Sequence, residues 1–183
     1  MTLVILTEEP SMKTTLEQLL PKLGIDRDSV TIIAHQGKSD LEASIPRKLR
    51  GWQVPGARFL ILRDNDRGNC HARKVALGDL VAAAGKSAQS KVRIVCQELE
   101  AWFLADLNAL IAAGYVAAGK APGFSRRDPD TILRPVDQMK RLRRDYGKGI
   151  GAAEIAPHLD PANTRSASFR NTVEAIRFLA ATQ

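Results

Sequence analysis

Two aspartates, Asp64 and Asp66, follow the short apolar run from Phe59 to Leu62. The run predicts a buried strand, which would deliver both carboxylates to its C-terminal end. Like charges at that separation raise each other's pKa unless a positive group lies between them. A divalent cation with oxygen ligands, such as Mg²⁺ or Mn²⁺, would meet that need. The spacing therefore predicts a metal site, although Asp-x-Asp is also common in ordinary turns.

A third acid, Glu8, follows another apolar run, Leu3 to Leu6, near the start of the chain. If both runs are parallel strands of one sheet, their C-terminal ends lie at the same edge, where open α/β sheets bind ligands. Glu8 would then face the two aspartates. We expect Glu8, Asp64 and Asp66 to form the catalytic and metal-binding set.

Glu98 and Glu100 follow a further apolar run, Val92 to Cys96, and so occupy the corresponding position in the sheet. Either carboxylate could reach the metal edge, and Glu100 is the stronger candidate for an additional ligand. The alternative is an acid in the first turn of a helix, where the helix dipole favours negative charge.

The chain is basic, with a formal net charge of +7 and a pI of about 9.7. Such an excess suits a polyanionic partner, and nucleic acid is the expected one. The predicted phosphate contacts are Arg67, Lys140, Arg141, Arg143, Arg144 and Lys148. The run from 140 to 148 is equally consistent with the solvated face of a helix whose apolar residues point inward.

The spacing of apolar residues predicts an α/β protein with a mainly parallel four-stranded sheet flanked by helices. The predicted strands are Leu3–Leu6, Val30–Ala34, Phe59–Leu62 and Val92–Cys96. The first predicted helix is capped by Ser11 and reaches Leu20, and the second, Asp40–Leu49, has a kink or restart at Pro46. The third, His71–Ala84, has Val75, Leu80 and Val81 on one side. The remaining predicted helices are Glu98–Leu110, Val136–Arg144, Ala152–His158 and Ser168–Ala180. We expect one domain over residues 1–183, with the sheet core in 1–110 and a helical cap in 111–183.

Several classes of protein do not fit the sequence. No apolar stretch approaches the ~18 residues of a membrane span, and no secretion signal is visible. Two cysteines cannot build a disulfide framework. These features favour a cytoplasmic protein. The segment Gly37-Lys38-Ser39 lacks the first glycine of a phosphate-binding P-loop, and the three histidines show no zinc spacing.

The segment Glu8-Glu9-Pro10-Ser11, together with Asp64-Asn65-Asp66-Arg67-Gly68, resembles the Toprim domain. That domain occurs in topoisomerases, bacterial primases, recombination mediators and overcoming-lysogenization-defect (OLD) nucleases. Its pattern is a strand ending in Glu and a later strand ending in Asp-x-Asp. The resemblance implies these roles for Glu8, Asp64 and Asp66. Gly68 stands where topoisomerases have another acid.

The whole chain more closely resembles a bacterial Toprim-related family, domain-of-unknown-function family 4276. The segments that carry the resemblance are residues 8–13, 35–41, 63–70, 97–106 and 163–169. The segment Glu100-Ala101-Trp102 is a hallmark of that family, so the resemblance implies that Glu100 is a site residue. The resemblance implies an ABC-like AAA ATPase as partner and a role as effector in phage defence.

Two functions follow as hypotheses. The first is a Mg²⁺- or Mn²⁺-dependent nuclease, in which the metal stabilises charge on the scissile phosphate and activates a water molecule. The second is a non-catalytic Toprim-like module or partner subunit of an ATPase, which the Gly68 departure leaves open, as does Met12, where OLD-type sequences often have a second Glu. A topoisomerase is disfavoured, because 183 residues leave no room for a strand-passage domain.

Overall fold

In the computed structural model, which describes residues 2–163 and 165–181, four strands form an all-parallel sheet. The strands are β1 (Leu3–Thr7), β2 (Val30–Ala34), β3 (Arg58–Asp64) and β4 (Ser90–Val95). Their order across the sheet is β2-β1-β3-β4. The predicted α/β class and the parallel sheet flanked by helices are confirmed.

The strands are connected and covered by α-helices, eight of them in the described ranges. They are α1 (Pro10–Lys22), α2 (Lys38–Gly51), α3 (Cys70–Ala83), α4 (Glu100–Ala105), α5 (Leu107–Ala112), α6 (Pro135–Leu142), α7 (Lys148–Ile155) and α8 (Ala167–Ala181). None of the helices described is long and apolar enough to cross a membrane. Thr164, inside the predicted motif 163–169, lies outside the described residues.

The two central strands are buried on both faces, as is typical of parallel sheets. Along β1, Leu3 and Ile5 pack on the face covered by α1 and α8. Val4 and Leu6 point the other way, into the core formed with α2 and α3. Because both faces are covered, β1 and β3 are held rigidly, and whatever follows them is positioned by the core.

The order of the strands reverses direction between β1 and β3. From β1 the chain moves outward to β2, then crosses back to β3 and continues to β4. In open α/β sheets a crevice forms at such a switch point, outside the carboxyl ends of the strands. By that rule the crevice of this sheet is expected beside the C-terminal ends of β1 and β3, and we use the word for that place.

The start of α1 differs from the prediction that Ser11 caps it. The N-cap is Glu9, Pro10 is the first helical residue, and Ser11 lies buried inside the first turn. Proline suits this position because its missing N–H would have no helical partner there. Glu9 makes no side-chain cap bond; its carboxylate instead pairs with Lys148.

The predicted helix from Glu98 to Leu110 is wrong in its extent, because it is interrupted at Asp106. The Asp106 carboxylate accepts hydrogen bonds from the backbone N–H of Ala109 (3.0 Å) and of Asp160 (2.9 Å). A side chain that caps a helix start favours a new helix there. The chain therefore forms α4 and α5 instead of one helix, and α4 begins at Glu100.

Two smaller expectations about helices are also corrected. Pro46 lies within the continuous α2 and does not restart it. Val75 is 49% exposed, whereas the predicted Val81 is buried together with Leu77, and Leu80 packs partly buried against the same core. The apolar spacing alone did not distinguish the inward face of α3, because this helix is alanine-rich and weakly amphipathic.

Candidate functional site

Glu8 and Asp64 meet in the crevice between the ends of β1 and β3. Glu8 directly follows β1, and Asp64 is the last residue of β3. The Glu8 carboxylate (Oε2) accepts a hydrogen bond of 3.1 Å from the backbone N–H of Asp64. The guanidinium of Arg63 lies 3.7 Å from the same oxygen and also pairs with Glu42. The structure thus brings the first two predicted site residues together.

Glu100 joins this edge from the start of α4, where it is fully buried. The Tyr146 hydroxyl donates a 2.8 Å hydrogen bond to its Oε1 atom. The charge of Glu100 is among the causes that raise the pKa of Asp64, so the two carboxyls lie near each other. The alternative for Glu100, an acid in the first turn of a helix, is observed, and it is compatible with the metal role, which stays a prediction.

Lys148, at the start of α7, places a cation among these acids. Its Nζ lies 2.7 Å from Glu9 Oε1 in a half-buried ion pair. Burial opposes the charge of Lys148, but the bond to Glu9 and the charges of Glu100 and Asp64 prevail and raise the pKa of the ammonium. Lys148 is therefore protonated, and it partly neutralises the acidic crevice.

Two carboxylate oxygens at this edge lack a hydrogen-bond partner in the described part of the chain. They are Asp64 Oδ1 and Glu100 Oε2, and both are buried. A buried unpaired oxygen of an ionised group is costly, so native structures seldom leave one without a role. Such oxygens are the ligands that Mg²⁺ and Mn²⁺ prefer.

The acids of the crevice are harder to ionise than isolated carboxyls. Burial, followed by the charge of Glu9, raises the pKa of Asp64 well above its ordinary value. Burial also raises the pKa of Glu8, with the charge of Asp66 as the next cause. The pKa of Glu100 is raised by burial, which outweighs Lys148 and the Tyr146 hydrogen bond. A bound divalent cation would reverse this preference by favouring the ionised forms.

Asp66 and Arg67 lie in the exposed turn that follows β3. Both adopt left-handed backbone angles, with φ of 49° and 61°. The turn is fixed by a bond from the Asp66 N–H to the Gln97 carbonyl (2.9 Å). Asp66 is close enough to Glu8 to raise its pKa. The structure therefore brings Asp66 to the crevice, but at its solvent side.

Gly68 has a steric role in the same turn. A Cβ at this position would collide with the guanidinium of Arg73. The Gly68 N–H also closes the turn on the Asn65 carbonyl at 2.9 Å. The position at which topoisomerases carry another acid is thus occupied by a tight turn packed under an arginine.

The side chains of the crevice are not arranged as a ready ligand set. Within residues 2–163 and 165–181, no three His, Cys, Asp or Glu side chains are placed to hold a metal ion. Glu8 is turned towards the backbone of Asp64, and Glu9 is held by Lys148. Binding of a metal would require these carboxylates to turn. The metal role of Glu8, Asp64, Asp66 and Glu100 stays a prediction.

The predicted phosphate-binding residues separate into three groups. Lys140, Arg141 and Arg144 are exposed near the end of α6, and we call them the basic patch. Arg143 instead forms an ion pair with Glu154 (2.6 Å) and lies 5.0 Å over the ring of Tyr115, so its charge is used within the fold.

Arg67 and Lys148 form the third group, in a groove of about 320 Å³ beside the crevice. Arg134 lines the same groove and is exposed. The groove also contains the acids Glu98 and Asp137, and Asp137 lies 3.6 Å from Arg134. The nucleic-acid role of all six predicted residues stays a prediction.

Sequence reasoning missed three residues of the site. Glu9 accepts a hydrogen bond from Lys148, and Tyr146 donates one to Glu100, so both residues belong to the site. Arg134 reaches the groove from the residue before α6. The position of Glu9 directly after Glu8 was a usable signal. Nothing in local spacing indicated Tyr146 or Arg134.

The fold is similar to that of a solved structure. The chain superposes on the C-terminal region of the Xanthomonas campestris pv. campestris OLD protein with a TM-score of 0.60 at 19% identity. The match covers 98% of this chain and 95% of that one. No curated protein matches the chain. The sequence matches the family described as domain of unknown function (DUF4276) over residues 7–177, and the chain therefore belongs to that family.

Proposed function

We propose that this chain is a Mg²⁺- or Mn²⁺-dependent enzyme that cleaves phosphodiester bonds in nucleic acid. The observation that carries the proposal is the acidic crevice at the switch point of the sheet. Asp64 Oδ1 and Glu100 Oε2 lie there buried and without hydrogen-bond partners among residues 2–163 and 165–181, and Glu8 lies beside Asp64. The Toprim-like motifs in the sequence and the likeness of the fold to an OLD C-terminal region support the same reading.

Glu8, Asp64, Asp66 and Glu100 would hold one or two metal ions. A bound metal supplies Lewis-acid stabilisation of the phosphate and lowers the pKa of a water molecule. Glu8 suits the role of proton acceptor, because its raised pKa moves it towards the pH at which a general base is effective. Its bond to the Asp64 N–H fixes the direction of the carboxylate.

The groove next to the crevice would hold the flanking phosphates. Arg67, Arg134 and Lys148 line it. Arginine can bind a phosphate through two parallel hydrogen bonds, so it also orients the backbone of the substrate. The basic patch would extend this contact along the strand. An ABC-like AAA ATPase partner and a role in phage defence are part of the proposal through the family resemblance.

The direct test is hydrolysis of labelled single-stranded DNA, duplex DNA and RNA in the presence of Mn²⁺. We expect cleavage by the wild-type chain and none by Asp64→Asn. Asp79→Asn is the matched control, because Asp79 is exposed on α3 and undergoes the same chemical change. Equal cleavage by Asp64→Asn and Asp79→Asn would show that the activity does not belong to this crevice.

One observation favours the second candidate, a non-catalytic module. The ammonium of Lys148 already lies among the acids, bound to Glu9. If it is a permanent counter-ion, Lys148→Met should destabilise the chain, and Mn²⁺ should not restore its stability. In the enzymatic reading Mn²⁺ replaces the missing charge, so it should raise the melting temperature of Lys148→Met more than that of the wild type.

A further inference from the structure

A second groove, of about 430 Å³, lies on the outer side of edge strand β4. It is bordered by the start of α3 and the start of α8, and it contains Cys70, His71, Lys74, Cys96 and Ser168. Neither predicted function gives these side chains a role.

The two cysteines of the chain meet in this groove. Cys70 is the first residue of α3, and Cys96 follows the last residue of β4. Both are free thiols and both are partly exposed. The two side chains are within hydrogen-bonding reach of each other, and this contact is one of the causes that raise the pKa of Cys96. Two thiols that are 26 positions apart in sequence are thus already neighbours at a surface that solutes can reach.

The surroundings make the two thiols unequal. Burial, followed by the charge of Asp130, raises the pKa of Cys96 to about 12, so this thiol stays protonated. Cys70 is the first residue of α3, and Lys74 lines the same groove. The thiolate is the attacking species in disulfide exchange, so the protonated Cys96 is a poor first attacker.

We propose that Cys70 and Cys96 form a reversible intramolecular disulfide that locks together the two loops at the carboxyl edge of β3 and β4. The loops are residues 65–69 and 96–99. The first loop is already joined to the end of β4 by a hydrogen bond from the Asn65 N–H to the Val95 carbonyl, and to the second loop by one from the Asp66 N–H to the Gln97 carbonyl, both 2.9 Å. The disulfide would add a covalent link on the groove side of that contact.

A small-molecule disulfide such as glutathione disulfide is the oxidant. The Cys70 thiolate attacks one sulfur of it, forms a mixed disulfide and releases one glutathione thiolate. The Cys96 thiol then loses its proton to solvent and attacks the Cys70 sulfur, which releases the second glutathione. Two protein S–H bonds are lost, one S–S bond forms, and the disulfide of the oxidant is reduced to two thiols.

The experiment treats the full-length chain with glutathione disulfide and measures intact mass and free thiols. We expect the mass of the wild type to fall by two hydrogen atoms, with one peptide linking Cys70 to Cys96 and reversal by dithiothreitol. Cys96→Ser should stop at a glutathione adduct on Cys70, and Cys70→Ser should react more slowly than Cys96→Ser. A lasting glutathione adduct on the wild type, a covalent dimer or unchanged thiols would overturn the proposal.

The lock is tested separately by amide hydrogen exchange without metal or nucleic acid. In the oxidised wild type the amides of Asp66 and Gly68, whose hydrogen bonds close the turn, should exchange more slowly than in the reduced protein. Exchange unchanged by oxidation would refute the locking of the loops even if the disulfide forms. Both readouts are independent of the proposed nuclease function, so either proposal can fail alone.

Discussion

Substitution of Asp64 by Asn should remove the response of the chain to Mn²⁺ and stabilise the metal-free protein. The Asp64 carboxyl is buried beside Glu9, Glu100 and Glu8, and its pKa is raised well above the ordinary value. Folding therefore disfavours the ionised form of Asp64 relative to the unfolded chain. The amide of Asn has the same shape, carries no charge and can donate to a neighbouring carboxylate.

The size of the Mn²⁺ response follows from linkage and chain length. A ligand at about a hundred times its dissociation constant stabilises the native state by ~2.7 kcal/mol if it does not bind the unfolded chain. For a domain of 183 residues, each kcal/mol shifts the melting temperature by ~2–4 °C. The wild type should therefore melt ~5–10 °C higher at that Mn²⁺ concentration.

The assay is a melting curve by circular dichroism or calorimetry over a Mn²⁺ titration. Asp64→Asn should start at a higher melting temperature than the wild type and rise little. Asp79→Asn, at an exposed site on α3, should follow the wild type at every concentration. A full Mn²⁺ response in Asp64→Asn would mean that the ion binds elsewhere, and the double variant with Asp66→Asn would then decide whether any of this edge is involved.

Three further expectations concern the same edge and the basic patch. Because the pKa values of Asp64, Glu8 and Glu100 are raised, their contribution to stability is present below their unfolded-state pKa values and is lost as pH rises through the folded-state ones. The urea midpoint of the metal-free wild type should therefore fall relative to that of Asp64→Asn as the pH rises from about 4 through the folded-state pKa of Asp64. Tyr146→Phe removes the hydroxyl bonded to Glu100 and should lower the free energy of unfolding by ~1.5–3 kcal/mol at neutral pH, with a smaller loss in acid, as measured by urea denaturation. Alanine at all three positions of the basic patch should lower the slope of log K against log salt by ~0.9 for each lost contact with duplex DNA and leave the Mn²⁺ response intact; an unchanged slope would make the patch a solvated surface.

The sheet could be predicted from the sequence because its strands are short apolar runs with turn residues on either side. The bounds of β2 agree with the prediction, and β1 is longer by one residue. The prediction for β3 ended two residues early, because Arg63 and Asp64 look like loop residues. They continue the pairing with β4, and Arg63 is buried through its contacts with Glu8 and Glu42. Burial of that kind depends on partners from other elements.

Of the candidate site, only the residues at the ends of the strands could be predicted from the sequence. Glu8 and Asp64 meet because parallel strands share an edge, which is a rule of topology. The positions of Glu9 and Tyr146 depend on how α7 and the residues before it pack against α1 and α4. Such packing joins residues more than 40 positions apart, and no local pattern encodes it.

The basic run at 140–148 shows why charge in a sequence does not map onto one function. Its five conspicuous cations enter three environments: Arg143 pairs with Glu154, Lys148 pairs with Glu9, and the basic patch faces solvent. The two paired cations have acids as partners, so their charge is already matched inside the protein. The three exposed cations remain unpaired by those acids, so the positive charge available to a polyanion is smaller than the run indicates.

Lys148 combines both situations, because it borders the acids of the crevice and also the groove that Arg67 and Arg134 line. Substitutions in the patch and at Lys148 should therefore have different effects: the first on affinity and its salt dependence, the second on the stability of the metal-free crevice.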